Sequence, residues 1–295
     1  MVRCAKYRGG SFTHLIKRPG NFADWSIDDQ RRTSWTVRAD QPIIIRMRSR
    51  LAARFVAFTL FALAILGPAF GEDSTVPPPL KEYKGREIAQ TMHYLGAPWL
   101  TRESRDREED CKTLLAALKL KPGDTVCDMG CGNGFYSLKI AKLVGERGRV
   151  IGVDIQREML ELLKDRAAAE KITNIEPVLG TTIDPKLPDG AVDLMLLVDV
   201  YHEFDHPEQM LAAIRKSLKP TGRVALAEFR AEDPKVPIKP LHKMSKAQIM
   251  KEFPPNGFKL VEEFDKLPWQ HLMFFQRDDA PVEKTRRQGE GETRR

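Results

Sequence analysis

The chain has 295 residues, 20 glycines, 20 prolines, four cysteines and a formal net charge of +7. The charge is uneven: residues 1–71 carry 12 Lys or Arg against 4 Asp or Glu, which leaves 36 against 37 in the remainder. The basic excess belongs to the amino terminus, so it gives no ground for a nucleic-acid partner, and the cysteines show neither zinc-ligand spacing nor a disulfide framework.

Residues 1–46 have no hydrophobic periodicity and read as a disordered leader or as sequence upstream of the true start at Met47. Met47 to Arg54 is cationic, Phe55 to Leu66 is an uncharged apolar run, and Gly67 to Gly71 is suited to cleavage before Glu72. That is the three-part layout of a secretory signal peptide, and the run is shorter than the ~20 apolar residues of a spanning helix. Residues 47–71 are therefore predicted to be a signal peptide, or alternatively an uncleaved membrane anchor. The protein is expected to be exported or periplasmic, with a cytoplasmic location as the alternative. Residues 72–84, with Pro77, Pro78 and Pro79, read as an extended linker, and the polar tail 278–295 reads as disordered.

Between these ends strands and helices alternate. An amphipathic helix is predicted over 108–120, then a strand at 125–129, a helix at 136–144 and a strand at 149–154. A helix at 158–170 and a strand at 175–179 follow. Next come a strand at 192–198, a helix at 207–218 with Pro207 in its first turn, a strand at 223–228, and a helix at 245–253 capped by Ser245. Strands at 258–264 and 272–276 close the pattern. Regular alternation implies a mostly parallel sheet with helices on both faces.

The turn after the first strand carries the chemistry. Asp128 is followed by Gly130, Gly132 and Gly134, a strand–acid–glycine-rich turn–helix unit at the carboxyl edge of a sheet, where open α/β folds bind ligands. Dinucleotide sites space their glycines G-x-G-x-x-G; here the third glycine comes one residue early, and the acid suits a cationic ligand better than a pyrophosphate. Asp154 ends the second strand 20 residues after Gly134, a distance at which a carboxylate accepts from ribose hydroxyls or caps the following helix.

The D-x-G-x-G-x-G pattern resembles motif I of class I S-adenosylmethionine (SAM)-dependent methyltransferases. Val192-Asp193 resembles the family's entry to its fourth strand. Leu218 to Gly222 resembles the turn before its fifth, with Thr221 where glycine is usual. The likeness covers residues 85–277 and is nearest to small-molecule methyltransferases of the ubiquinone/menaquinone type. It implies a Rossmann-like, doubly wound, mostly parallel seven-stranded sheet with its last strand antiparallel, SAM as cofactor, and a small-molecule acceptor. It implies cofactor contacts at Asp128, Gly130, Cys131, Gly132 and Gly134, at Asp154 and Ile155, at Thr181 and Thr182 in the adenine region, and at Val198. It also implies that residues 92–102 fold over the cofactor, with Tyr94 and Trp99 as walls and Arg102 toward its carboxylate, against the plainer reading that Trp99 packs on the sheet.

The loop after strand four offers Asp199, to orient the methionyl ammonium or the substrate or else to cap the following turn, and His202. His202 is the first choice as general base or orienter, against a helix-start histidine bonded to nearby backbone. His242 is the second choice, against a solvated loop histidine. Tyr201 either walls the site or packs, and His206 is expected at the surface. Metal independence is expected. The cysteines do not offer the arrangement of arsenite methyltransferases. The rival readings are an exported SAM-binding module without catalysis and a nicotinamide-dependent oxidoreductase.

Overall fold

The computed structural model describes residues 76–281. The leader, the segment 47–71 and most of the tail lie outside the described residues. Among the described residues no helix is long and apolar enough to cross a membrane.

A hairpin of β1 (Glu82–Tyr83) and β2 (Arg86–Glu87) comes first. The stretch before it, part of the expected extended linker, is hydrogen-bonded to the domain. Leu80 N–H donates to the Asp205 carbonyl, and His206 Nε2 donates to the Pro77 carbonyl at 2.6 Å. Ala280 is likewise buried and its carbonyl accepts from Lys259, so the start of the expected tail is packed. A 3₁₀ segment, Tyr94–Thr101, leads to α1 (Arg105–Glu109) and α2 (Cys111–Ala117). The single helix expected over 108–120 is broken at Asp110. That residue is left-handed (φ 48°), and its carboxylate accepts from Thr113 N–H to cap α2. Local capping chemistry overrode apolar periodicity there.

The core then alternates β3 (Thr125–Met129), α3 (Phe135–Val144), β4 (Arg149–Asp154), α4 (Arg157–Ala169), β5 (Ile175–Leu179), β6 (Val192–Val198), α5 (Pro207–Ser217), β7 (Leu218–Phe229), α6 (Lys246–Glu252), β8 (Phe258–Phe264) and β9 (Gln270–Arg277). Strand order is β5-β4-β3-β6-β7-β9-β8; β5 to β7 run parallel and β9 runs antiparallel to both neighbours. β7 begins earlier than the 223–228 predicted, with a register shift between Val192 and Leu194 of its partner.

Successive residues of β6 feed opposite faces, as a period of two requires. Met195 and Leu197 join a core with Met210, Ile214, Ile249 and Phe253. Leu194 and Leu196 join a second core with Leu114, Tyr136 and Ile140. Helices therefore cover both faces of a seven-stranded, mostly parallel sheet, as expected. The winding reverses between β3 and β6, which opens a crevice at their carboxyl ends.

Candidate functional site

Gly130, Gly132 and Gly134 all have positive φ (68°, 52°, 80°), where an L side chain is strained. The space a side chain would take is already filled. A Cβ on Gly130 would lie 2.4 Å from Val200 Cγ2, one on Gly132 2.6 Å from Leu100 Cδ1, and one on Gly134 2.2 Å from Leu163 Cδ1. The glycines thus let the loop after β6, the 3₁₀ segment and α4 close onto the turn. The turn's donors are also spent. Gly130 and Cys131 N–H both donate to the Val153 carbonyl at 2.8 and 2.9 Å, Gly134 N–H donates to the Cys131 carbonyl, and Gly132 N–H donates to Asp154 Oδ2 at 2.9 Å.

Asp154 is 8% exposed, and its other oxygen accepts from Gln156 N–H at 2.9 Å. A carboxylate has about four lone-pair sites, so each oxygen keeps room for one more donor. Burial raises its pKa. Ile155 beside it is an exposed apolar side chain. Gln156 accepts from Tyr94 N–H and donates to the Met92 carbonyl, and Asn133 donates to the Ala97 carbonyl. These three bonds tie the segment from Met92 onward to the turns after β4 and β3.

Asp128 is buried and one of its oxygens accepts from Ser137 Oγ at 2.5 Å, which braces α3 against β3. Burial lifts its pKa to about 6, opposed by the Ser137 bond and Arg105. Thr181 does not offer its hydroxyl to a base: Oγ1 accepts from Asp184 N–H and closes its own turn, while Asp184 binds Lys186. Thr182 is half-buried beside it. Cys131 is buried with its thiol pushed well up by desolvation. Arg102 stacks on Trp99 and pairs with Glu108 and Glu109, so its guanidinium is committed; Arg105 lies deeper, paired with Glu109.

The acceptor side is assembled from distant segments. Val198 is half-buried at the end of β6. Asp199 follows with a left-handed backbone (φ 52°), and its Oδ2 accepts from Gln270 Nε2 at 2.7 Å. Its Oδ1 and Gln270 Oε1 are buried without a hydrogen-bond partner. Burial and then the charges of Glu109 and Glu228 hold the Asp199 pKa well above the carboxylate range. His202 is 2% exposed and donates from Nδ1 to Glu228 Oε2 at 2.7 Å. Glu228 also accepts from the N–H groups of Tyr201 and His202. With Nδ1 protonated, the neutral ring has its lone pair at Nε2, and His242 Nδ1 lies 3.1 Å from it.

The two histidines read separately from the sequence are therefore one unit. His202 is its buried member and His242 its half-buried member. Burial would lower the His202 pKa, but Glu228 outweighs it and raises it; burial, then His202 and Lys239, lower that of His242. Glu203 accepts from Met92 N–H, and burial lifts its pKa to about 7. Tyr201 packs rather than walls the site: it is fully buried and donates to Glu252 at 2.7 Å. His206, expected at the surface, is buried between Asp205 and the Pro77 carbonyl. The sequence reading missed Glu228, Glu203, Gln270, Gln156 and Arg105. Only Glu203, adjacent to His202, carried any local signal.

Comparison with known proteins follows the same lines. A family model described as a methyltransferase domain matches residues 120–275. A demethylmenaquinone methyltransferase of Lactobacillus johnsonii is 29% identical over 151 residues, 51% of this chain and 59% of that protein. A 2-phytyl-1,4-naphtoquinone methyltransferase of Trichormus variabilis is 33% identical over 110 residues, 37% of this chain and 48% of that protein. The chain thus spans about half the length of these curated relatives. The crystal structure of a SAM-dependent methyltransferase from Aquifex aeolicus has the same fold, with TM-score 0.60 and 24% identity over 63% of this chain and 98% of the other.

Proposed function

Because this chain belongs to the methyltransferase-domain family, we propose that it binds S-adenosylmethionine in the crevice between β3 and β6 and transfers its methyl group to a small-molecule acceptor. The observation that carries this reading is the state of the glycine turn. Its N–H groups at 130, 131, 132 and 134 are already used, so it makes a poor pyrophosphate cradle. Asp154, at the next strand end, keeps one free acceptor site on each oxygen for a ribose diol. This weighs against a nicotinamide dinucleotide.

The rest of the crevice fits the same cofactor. Asp199 Oδ1 and Gln270 Oε1, buried acceptors without donors, suit an ammonium, whose charge would also relieve the unfavourable ionisation of Asp199. Ile155 supplies apolar surface beside Asp154. When bound, the cofactor supplies an electrophilic methyl group on a sulfonium. The protein's part is alignment: a displacement held in line gains up to roughly 7–11 kcal/mol from positioning. The segment tied down by Gln156 and Asn133 excludes water. His242, held by the Glu228–His202 pair, presents the acceptor-facing surface.

The relatives named for quinone substrates make reduced naphthoquinones the first acceptors to test. Calorimetry of the full chain with SAM and with NAD decides the cofactor; tight NAD binding without SAM binding overturns the reading. Methyl transfer from labelled SAM then decides catalysis, and slow self-consumption of SAM with every acceptor would favour a non-catalytic binding module. We also propose export, supported by the sequence at 47–71. The described cysteines are compatible with it, since burial raises the Cys111 thiol to about 12 and Cys127 and Cys131 well up, leaving little reactive thiolate. The amino-terminal peptide in fractionated cells tests it: a cytosolic chain beginning at Met1 or Met47 would refute export.

A further inference from the structure

We propose that His202, Glu203 and His242 form a binding site for one divalent cation of the zinc class. Whether the ion binds is independent of the methyl-transfer reading; only what it would act on rests on that reading.

One ligand atom from each of the three residues lies within 4.8 Å of the others. His202 Nε2 and His242 Nδ1 face each other at 3.1 Å, with ring planes at 89°. Two nitrogens bound to one tetrahedral zinc at ~2.0–2.1 Å stand roughly 3.3 Å apart, so the spacing needs little adjustment to admit an ion in place of the shared proton. Glu203 Oε1 is 4.0 Å from His202 Nε2, within reach of a third ligand position after a small shift that loosens its 3.3 Å bond from Met92 N–H.

The surroundings are those of a metal histidine. Glu228 receives the Nδ1 proton of His202 at 2.7 Å, which fixes the ring and leaves Nε2 as the free donor atom. A carboxylate behind a ligating imidazole is the usual second layer of a zinc site. Glu228 is itself anchored by two backbone N–H groups. Arg86, whose Nη1 reaches the His202 carbonyl, is already paired with Glu252 at 2.7 Å, which leaves Glu203 and Glu228 without a basic partner other than histidine among the described residues. Two imidazoles and one carboxylate select a borderline ion such as zinc over magnesium or calcium. Three protein ligands leave a position open, as in catalytic zinc sites. In the proposed enzyme that position faces the acceptor, which points to an acceptor with a hydroxyl or enol oxygen.

Sequence spacing hid this site, because His242 is 40 residues from His202 and joins it only through the loop after β7. The test uses the untagged, metal-stripped full chain. ZnCl2 is titrated by calorimetry and CoCl2 by visible absorption, with SAM affinity and melting temperature measured on every protein. The expected result is one zinc per chain and a tetrahedral-type cobalt spectrum. Binding should be lost in His242→Ala, weakened at least about 10-fold in the near-isosteric Glu203→Gln, and weakened about 10–100-fold in Glu228→Gln. A folded wild-type chain with no saturable zinc binding overturns the proposal. So does zinc affinity unchanged in the His202→Ala/His242→Ala double variant. A chain that binds zinc but not SAM would overturn the methyl-transfer reading and leave the cation site standing.

Discussion

The two halves of the crevice are built by different means. The cofactor half comes mostly from one run, residues 128–156, and its buried acids are satisfied close by: Asp128 by Ser137, Asp154 by two backbone N–H groups. The acceptor half draws on residues 199–203, 228, 242 and 270, and its polar groups lean on one another across elements. In the first half Asp154 keeps acceptor capacity beyond those two bonds. Where the two halves meet, Asp199 Oδ1 and Gln270 Oε1 are unpaired, which is costly for buried atoms and is the place of the proposed ammonium contact.

The contrast can be broken at four points. The largest effect is expected from Gly130→Ala, which forces a side chain at φ 68° against Val200. Strain and overpacking together should cost about 2–4 kcal/mol of stability, read by denaturant unfolding. Since Val200 belongs to the loop that leads into the acceptor half, an unchanged midpoint would mean that the halves do not brace each other.

Asp128→Asn tests how the buried acid that braces α3 contributes to stability. Its folded pKa of about 6 lies above the ordinary 3.8. The stability tied to the neutral carboxyl is therefore fully present below about pH 4 and is lost as pH rises through 6. The asparagine variant should be more stable than the parent by about 2–3 kcal/mol above pH 7 and no more stable at pH 4. A pH-independent difference would show that the carboxylate is compensated in the folded state.

Asp154→Ala should weaken SAM binding by about 1–3 kcal/mol through loss of buried hydrogen bonds; an unaltered affinity in calorimetry would place the ribose elsewhere. The smallest effect belongs to His242→Ala, which should move SAM affinity by less than about 0.5 kcal/mol while slowing turnover. If SAM affinity collapses, the halves are not separable.

Strand positions were legible because buried strands of a parallel sheet read as apolar runs between turn residues. The runs at 149–154 and 192–198 match β4 and β6 residue for residue. The helix at 108–120 was not, because one left-handed aspartate reset the chain in the middle of an apolar stripe. Within the site, the glycine turn and Asp154 were legible from spacing. The side-chain partners of Asp128 and Thr181 were not. A carboxylate two residues before a glycine carries no local sign that one of its oxygens will bind Ser137 on the following helix. His202 was singled out, but its burial was not foreseen, and His206 was placed on the wrong side of the surface.

By itself, the sequence determined the α/β alternation, the glycine-rich turn and the acid at the end of β4, because these depend on residues within a few turns of one another. Tertiary structure alone decided which side chains meet His202. Glu228 lies on the neighbouring β7 and His242 in the loop beyond it, 26 and 40 residues away. Contacts at that separation follow from strand order and from which face of each strand is buried, quantities that no local pattern encodes.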